Sequence, residues 1–314
     1  MINKSQEIML SVVIPTYNHE KYIKKAIDSV LAQKTEYSFE VLVGEDKSLD
    51  NTKLVLQDYE RLNPGKIKVF YRDHNLSNEK LENAPDLRRR AKGKYIITLE
   101  GDDFWISDNK IQKQIDFLEN NPDYIAVAHN CIVVDEKNNI LNESYPCCKD
   151  DEYSLRHFLK GIYPGQFATI MYRNYYKENL FDYSILETHL CPGDKLLYFA
   201  LVTNGKVKCI QENMSAYRHV KKSGTSYSAT YKYDFIADEN WYLNLLSFAN
   251  NQDRGVHVAE TLYLGCLIHG LKAKQIDFKD FYTYSRNIRY KCYALFLFVY
   301  RMISIHIVKN GNAN

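Results

Sequence analysis

Between residues 98 and 105 the chain reads TLEGDDFW, which sets Glu100, Asp102 and Asp103 within four positions at the end of a short apolar run, residues 95–99. Carboxylates this close repel one another, by as much as ~4 kcal/mol for a pair at 4 Å in an effective dielectric of about 20. The arrangement therefore asks for a positive partner. Adjacent oxygen donors at a strand end suit a divalent cation, because Mg2+ and Mn2+ take hard oxygen ligands and are held by one or two carboxylates together with substrate phosphates. The local alternative is that Asp102 and Asp103 cap the turn before Trp105. Two more polar clusters follow apolar runs: PTYNHE (15–20) after residues 10–14, and GEDKSLD (44–50) after residues 39–43.

What positions these clusters is legible in the hydrophobic pattern. The runs at 10–14, 39–43, 67–71, 95–99 and 125–128 read as buried strands, the first ended by Pro15. Between them apolar residues recur at helical spacing: Tyr22, Ile23, Ala26, Ile27, Val30 and Leu31; Val55, Tyr59 and Leu62; Ile111, Ile115 and Leu118. Asp50 and Asp108 are expected to cap the second and third of these helices. Strands alternating with helices predict a mainly parallel sheet covered on both faces. In open sheets of this kind ligands bind beyond the carboxyl ends of the strands, and that is where all three clusters fall. The basic run Arg88, Arg89, Arg90, Lys92 and Lys94 reads as a solvated helix face. Past residue 150 the alternation fades, with strands expected at 168–172 and 207–210, a helix at 195–202, and mostly helix over 234–309 with a polar break at NNQDRG.

Composition and absent motifs exclude several classes. Lysine and arginine total 41 against 39 acidic residues in 314 positions, so no overall field points to nucleic acid. The seven cysteines show no CxxC or finger spacing and are expected as free thiols of a cytoplasmic protein. The N-terminal MINKSQEIMLSVVIP lacks the features of a signal peptide. There is no GxxxxGK[ST] or GxGxxG loop, no GxSxG elbow and no HExxH.

The ordered segments VVIPTYNHEKYIKKAIDSVLAQ, VLVGEDKSLDNT and AKGKYIITLEGDDFWISDNKIQKQIDFLENNPDY resemble a family 2 glycosyltransferase, especially the bacterial members that build capsule, O-antigen and other surface polysaccharides. The match covers residue 9 to about residue 130 and is looser over 160–230. It implies a GT-A (Rossmann-like) α/β fold in which a mainly parallel sheet is flanked by helices. A GT-A domain would span 1–230, with a nucleotide-sugar half 1–135 and an acceptor half 136–230, followed by a helical region 231–314. By the same resemblance Pro15, Thr16, Tyr17 and Asn18 would line the nucleotide pocket, and Asp46, beside Glu45, would accept a hydrogen bond from uracil. Glu100, Gly101 and Asp102 form the DxD-like motif, glutamate standing where aspartate is commoner. Asp102 is the expected metal ligand, with Asp103 as helper and Mn2+ or Mg2+ as the ion.

Asp194 in CPGDKLLYFALVTNGKV matches the family's general base, and N-capping of its own helix is the alternative role. In NMSAYRHVKKSGTSYS, Arg218, Lys221 and Lys222 would meet phosphate and His219 would complete the metal site. The implied reaction is an inverting transfer from a UDP-sugar or related donor to a hydroxyl of a glycan or lipid-linked acceptor. A non-catalytic nucleotide-sugar-binding or scaffold protein is the alternative from another class. A sugar-1-phosphate nucleotidyltransferase would need a GxGxR loop after the first strand, where PTYNHE stands.

Residues 290–308, YKCYALFLFVYRMISIHIV, form the most apolar stretch of the chain. Arg301 inside it argues against a span, since a central arginine costs about 2.5 to 3.5 kcal/mol on insertion. No acidic residue occurs after Asp280, whereas Arg286, Arg289, Lys291, Arg301 and Lys309 are basic. The segment 286–309 is expected either to lie peripherally on an anionic inner membrane surface or to pack as a terminal helix on the domain.

Overall fold

The computed structural model describes residues 7–76, 83–178, 182–188, 190, 192–219 and 232–311. Its strands are β1 (Leu10–Thr16), β2 (Phe39–Glu45), β3 (Ile67–Tyr71), β4 (Tyr95–Thr98), β5 (Phe104–Trp105), β6 (Tyr124–Val134), β7 (Glu152–Tyr153), β8 (Met171–Arg173) and β9 (Lys206–Arg218). Its helices are α1 (Ile23–Leu31), α2 (Thr52–Leu62), α3 (Asn83–Arg90), α4 (Lys110–Asn120), α5 (Leu155–Leu159), α6 (Tyr175–Glu178), α7 (Gly193–Asn204), α8 (Phe235–Gln252), α9 (Val256–Lys272), α10 (Phe278–Tyr284) and α11 (Lys291–Gly311). They form two compact units that no single cut in the chain separates. The first comprises Met1–Tyr153, Pro164–Asp182 and Asn204–Val220, and the second Ser154–Tyr163, Tyr183–Thr203 and Lys221–Asn314.

The first unit is built on a mixed nine-stranded sheet of order β3-β2-β1-β4-β8-β6-β9-β5, with β7 beside β9. β1 is central and parallel to both neighbours, Val12 facing Val41 on one side and Ile97 on the other. Its side chains are buried on both faces, as a continuous apolar run requires. Helix α1 covers the sheet with Ile23, Ala26, Ile27 and Val30, the i, i+3, i+4, i+7 stripe expected of it. α4 likewise buries Ile111, Ile115 and Leu118.

Several details depart from the sequence-based expectations. β1 runs through Pro15 to Thr16. The Pro15 carbonyl accepts from Gly101 N, on the flank where pairing with β4 has ended, and a residue's N–H and C=O point the same way in a strand, so no ladder donor is lost. Asp50 precedes the N-cap Asn51, yet its Oδ1 still accepts from Thr52 N at 2.9 Å and from Thr52 Oγ1 at 2.6 Å. Asp108 does not cap α4; it pairs with Lys34 at 2.7 Å, and Asn109 holds the cap position. The strand expected at 168–172 begins only at Met171. The Gln166 side chain accepts from Ala168 N at 2.7 Å and bends 167–169 into a 3-10 turn.

β8 then runs antiparallel to both β4 and β6, which makes the second half of the sheet mixed. The basic run is not a solvated face throughout, since Arg88 is buried. α3 is docked on β2 by Asn83, whose Nδ2 donates to Gly44 O at 2.6 Å, and Arg72 bridges Asn83 Oδ1 and Asp86.

The second unit is helical. α9 is its hub, buried on most sides and packed on α8, α11 and α5. The expected break at NNQDRG is a turn with Asp253 and Gly255 in the left-handed region, φ 51° and 74°. Glu260 Oε1 of α9 accepts from the backbone N of Arg289 and Tyr290, at 2.6 and 3.1 Å, just ahead of α11. Among the described residues no helix is long and apolar enough to cross a membrane, and the six described cysteines are outside any disulfide.

Candidate active site

The loops after β1 and β2 are laced together by side chains that satisfy each other's backbone. Asn18 stands at φ 56°, a conformation asparagine tolerates better than most residues. Its N donates to Ser48 Oγ at 3.0 Å and its Oδ1 accepts from Leu49 N at 2.8 Å. His19 N donates to Thr52 Oγ1, Glu20 N to Asp50 Oδ2, and Asn51 N back to Glu20 Oε2, at 2.8, 3.0 and 2.9 Å. Glu45 is buried and accepts from Ser48 N at 2.6 Å. Asp46 is also buried: its N donates to Thr16 O, and its Oδ1 accepts from Leu76 N at 2.8 Å. Pro15, Thr16, Tyr17 and Asn18 thus meet Glu45 and Asp46 at the carboxyl ends of two adjacent parallel strands.

The acidic loop joins them through β4. Leu99 N donates to Val13 O and Gly101 N to Pro15 O, so the loop lies directly on the end of β1. The approach is tight: a Cβ on Gly101 would lie 2.6 Å from Thr16 Oγ1 and 2.7 Å from His19 Nδ1. Asp103 N then donates to Glu100 O, closing the turn. Glu100 is exposed, Asp102 half-buried and Asp103 buried, and one oxygen from each falls within 4.8 Å of the others. Burial, then the charges of Asp102 and Glu100, push the Asp103 carboxyl well above the usual carboxylate range, against the pull of Arg218. His19 is pushed the other way, chiefly by burial, with Asp102 and Asp50 opposing.

Two residues brought from far along the chain hold Asp103. Arg218 N, at the end of β9, donates to Oδ1 at 2.7 Å, and Gln166 Nε2 donates to Oδ2 at 2.8 Å. The Arg218 guanidinium is spent on the protein itself. Nε donates to Asp102 O at 2.8 Å, Nη1 to Asp135 O at 2.6 Å and Nη2 to Asn138 Oδ1 at 2.8 Å, and the group lies 4.4 Å from the Tyr22 ring centre. The sequence marks Arg218 for phosphate, whereas here it clamps the acidic loop. His219 turns to Glu143, Nδ1 to Oε2 at 2.8 Å, and stacks on Tyr217; it is not in the carboxylate group. Lys221 and Lys222 lie outside the described residues. Asp194 opens α7 in the second unit, its Oδ1 accepting from Lys195 N at 2.8 Å.

His19 and Gln166 are the contacts that sequence reasoning missed. His19 lies in PTYNHE, a segment the sequence singles out, but no spacing links Gln166 to Asp103.

A Rossmann-like α/β sheet with an acidic loop at the carboxyl end of a central strand is the GT-A architecture, and the class it defines is that of glycosyltransferases. The model of "Glycosyl transferase family 2" matches residues 11–192, and the chain belongs to that family. An uncharacterized protein of Mycobacterium tuberculosis is 26% identical over 215 residues, covering 67% of this chain and 58% of its own length. A Campylobacter jejuni GalNAc(5)-diNAcBac-PP-undecaprenol beta-1,3-glucosyltransferase is 28% identical over 179 residues, covering 55% and 54%. The chain therefore spans little more than half the length of these curated relatives. The crystal structure of S. aureus TarS 1–349 in complex with UDP-GlcNAc superposes with a TM-score of 0.63 at 16% identity, over 96% of this chain and 92% of that one. At that identity the likeness is one of fold.

Proposed function

We propose that the chain is a metal-dependent, inverting glycosyltransferase that moves a sugar from a nucleoside diphosphate, UDP in first place, to a hydroxyl of a glycan or lipid-linked acceptor in surface polysaccharide synthesis. The observation that carries this reading is the grouping of Glu100, Asp102 and Asp103 beside the laced loops that hold Asp46 and Asn18. The donor set fits Mn2+ or Mg2+: all its atoms are hard carboxylate oxygens, and burial beside Asp102 and Glu100 disfavours the charged form of Asp103 where no cation offsets it. Asp102 and Asp103, with Glu100 beside them, would hold the ion. When bound, it supplies Lewis-acid neutralisation of a departing diphosphate.

The remaining work falls to the chain itself. Residues 15–18 with Glu45 and Asp46 hold the nucleotide, and Arg218 and Gln166 fix the acidic loop. Asp194 takes the proton of the acceptor hydroxyl as the new bond forms, help typically worth ~10² to 10⁴ in rate. A helix start favours the carboxylate form needed for that task. One displacement inverts the anomeric centre. Support for the donor comes from TarS, crystallised with UDP-GlcNAc. Support for a lipid-linked acceptor comes from the undecaprenol-linked substrate in the Campylobacter enzyme's name.

The test is nucleotide release from a panel of UDP-, GDP- and dTDP-sugars with Mn2+ or Mg2+. Release is expected with one donor class and is stopped by a chelator. Asp102→Asn should remove it, and Asp194→Asn should lower turnover by ~10² to 10⁴ while nucleotide affinity holds. No release and no metal-dependent binding with any donor would sink the proposal. Binding without transfer would favour a non-catalytic nucleotide-sugar-binding protein, and near-normal turnover in Asp194→Asn would remove the base assignment alone.

A further inference from the structure

Helix α11 is apolar on two opposite faces, and only one of them packs on its own unit. On the packed face Ala294 is buried and Leu297 and Phe298 are half-buried. The Phe298 ring crowds Gly265 of α9, where a Cβ would meet it at 3.2 Å. Arg301 Nε donates to Leu159 O at 2.7 Å, and Arg156 Nη2 donates to Tyr300 Oη at 2.9 Å. The arginine that argued against a membrane span is thus turned into the protein.

On the other face Cys292, Leu295, Phe296, Val299, Met302 and Ile303 are exposed, Phe296 to 66% and Ile303 to 57%. Their spacing is i, i+3, i+4, i+7, i+10, i+11, and at about 100° per residue they fill an arc of about 120°. A helix that merely faces water carries charge on that arc, and among the described residues here it carries none. At the N-terminal end of the stripe Arg286, Arg289 and Lys291 are exposed. Tyr290 and Tyr293, each nearly half exposed, rest their rings on His257 of α9 at 4.8 and 4.7 Å. No Asp or Glu follows Asp280 in the sequence.

We propose that this face of α11 docks in the plane of an anionic lipid surface. The stripe enters the acyl boundary, the two tyrosines sit at headgroup level and Arg286, Arg289 and Lys291 meet lipid phosphates. Charge selects this occupant over a second copy of the chain. A two-fold contact of α11 on α11 would set the cationic end of each patch against a helix segment that carries no carboxylate to pair with it. The inference goes beyond the transferase reading and uses none of its residues.

Co-sedimentation of the full chain with phosphatidylcholine vesicles, with and without phosphatidylglycerol, tests it. Binding is expected to the anionic vesicles and to weaken with added salt. Phe296→Glu combined with Val299→Glu should lower partitioning at least ~tenfold with an unchanged circular dichroism spectrum. Arg289→Glu combined with Lys291→Glu leaves the stripe intact and should erase the preference for phosphatidylglycerol. Failure of the wild type to bind anionic vesicles, or binding by the Phe296/Val299 variant at the wild-type level, would overturn the proposal. So would a wild-type dimer that this variant converts to monomer without any vesicle binding. Nucleotide release measured on the same samples keeps the two readings apart: vesicle binding without release removes only the transferase, and release without binding removes only the docking face.

Discussion

Arg218 shows how a residue legible as part of a site can have an illegible role. A basic residue downstream of a diphosphate-type site invites a phosphate contact, but its Nε, Nη1 and Nη2 each reach a protein acceptor on the acidic loop or on residues 135–138. The two roles respond differently to lysine. An ammonium preserves a point charge for phosphate but cannot serve three acceptors in fork geometry. We therefore expect Arg218→Lys to behave nearly as badly as Arg218→Ala, each losing ~10² in turnover and about 1–3 kcal/mol of stability from orphaned buried acceptors. Paired measurements of nucleotide release and urea unfolding check this. A Lys variant close to wild type with a crippled Ala variant would return Arg218 to the phosphate. Gln166 was beyond reach for a related reason: its partner Asp103 is 63 positions away, and only the 3-10 turn at 167–169 aims the amide.

At the scale of elements, the site depends on how closely the β4 loop can lie on the end of β1. Gly101 is where that approach is decided, with Thr16 Oγ1 and His19 Nδ1 both inside contact distance of any added methyl. Gly101→Ala should lift the loop off β1 at a cost of about 1–3 kcal/mol, the usual range for overpacking. Mn2+ affinity should fall further than the unfolding midpoint suggests, because Glu100 and Asp102 move with the loop. Metal titration beside a urea curve measures both, and unchanged affinity would show that the close packing is incidental to the site.

Strands β1 to β4 and helices α1, α2 and α4 were legible because each is a local pattern, an apolar run or a stripe of period 3.6, bounded by turn residues. The rest depends on partners remote in sequence. β5 is two residues long and exists only by pairing with Ala216 and Ser215. The late start of β8 follows from a side chain bending the preceding turn, and the burial of Arg88 from α3 docking on β2. None of these leaves a periodic mark. The polar clusters were legible as a site for one reason, that parallel strands deliver their carboxyl ends to the same edge.

For the molecule as a whole, the first unit's core contains two bases whose charged forms burial disfavours. Lys110 has no exposed surface, donates from Nζ to Gln114 Oε1 at 2.7 Å and lies 4.2 Å from the Trp105 ring centre. Burial holds its pKa well below the ordinary 10.5. His129 is equally buried, and burial first, with Lys110 as its basic neighbour, holds it well below 6.5. A base whose folded pKa lies below its unfolded value takes up a proton on unfolding at any pH between the two. Stability is then full above the unfolded value and falls as pH drops toward the folded one, by about 1.4 kcal/mol per pH unit for each such group.

Asp103, with its raised pKa, works in the opposite direction, so the wild-type curve alone cannot isolate Lys110. The difference between wild type and Lys110→Met can, since methionine fills similar volume without a proton to exchange. At pH 10 the variant should be about 1 kcal/mol less stable, because Gln114 Oε1 loses its donor. As pH falls that gap should close and reverse, the variant becoming the more stable protein by pH 7. Urea unfolding at intervals from pH 6 to 10 follows the crossing, and parallel curves would mean that Lys110 keeps its proton in the folded chain, held by Trp105 and Gln114 against the cost of burial.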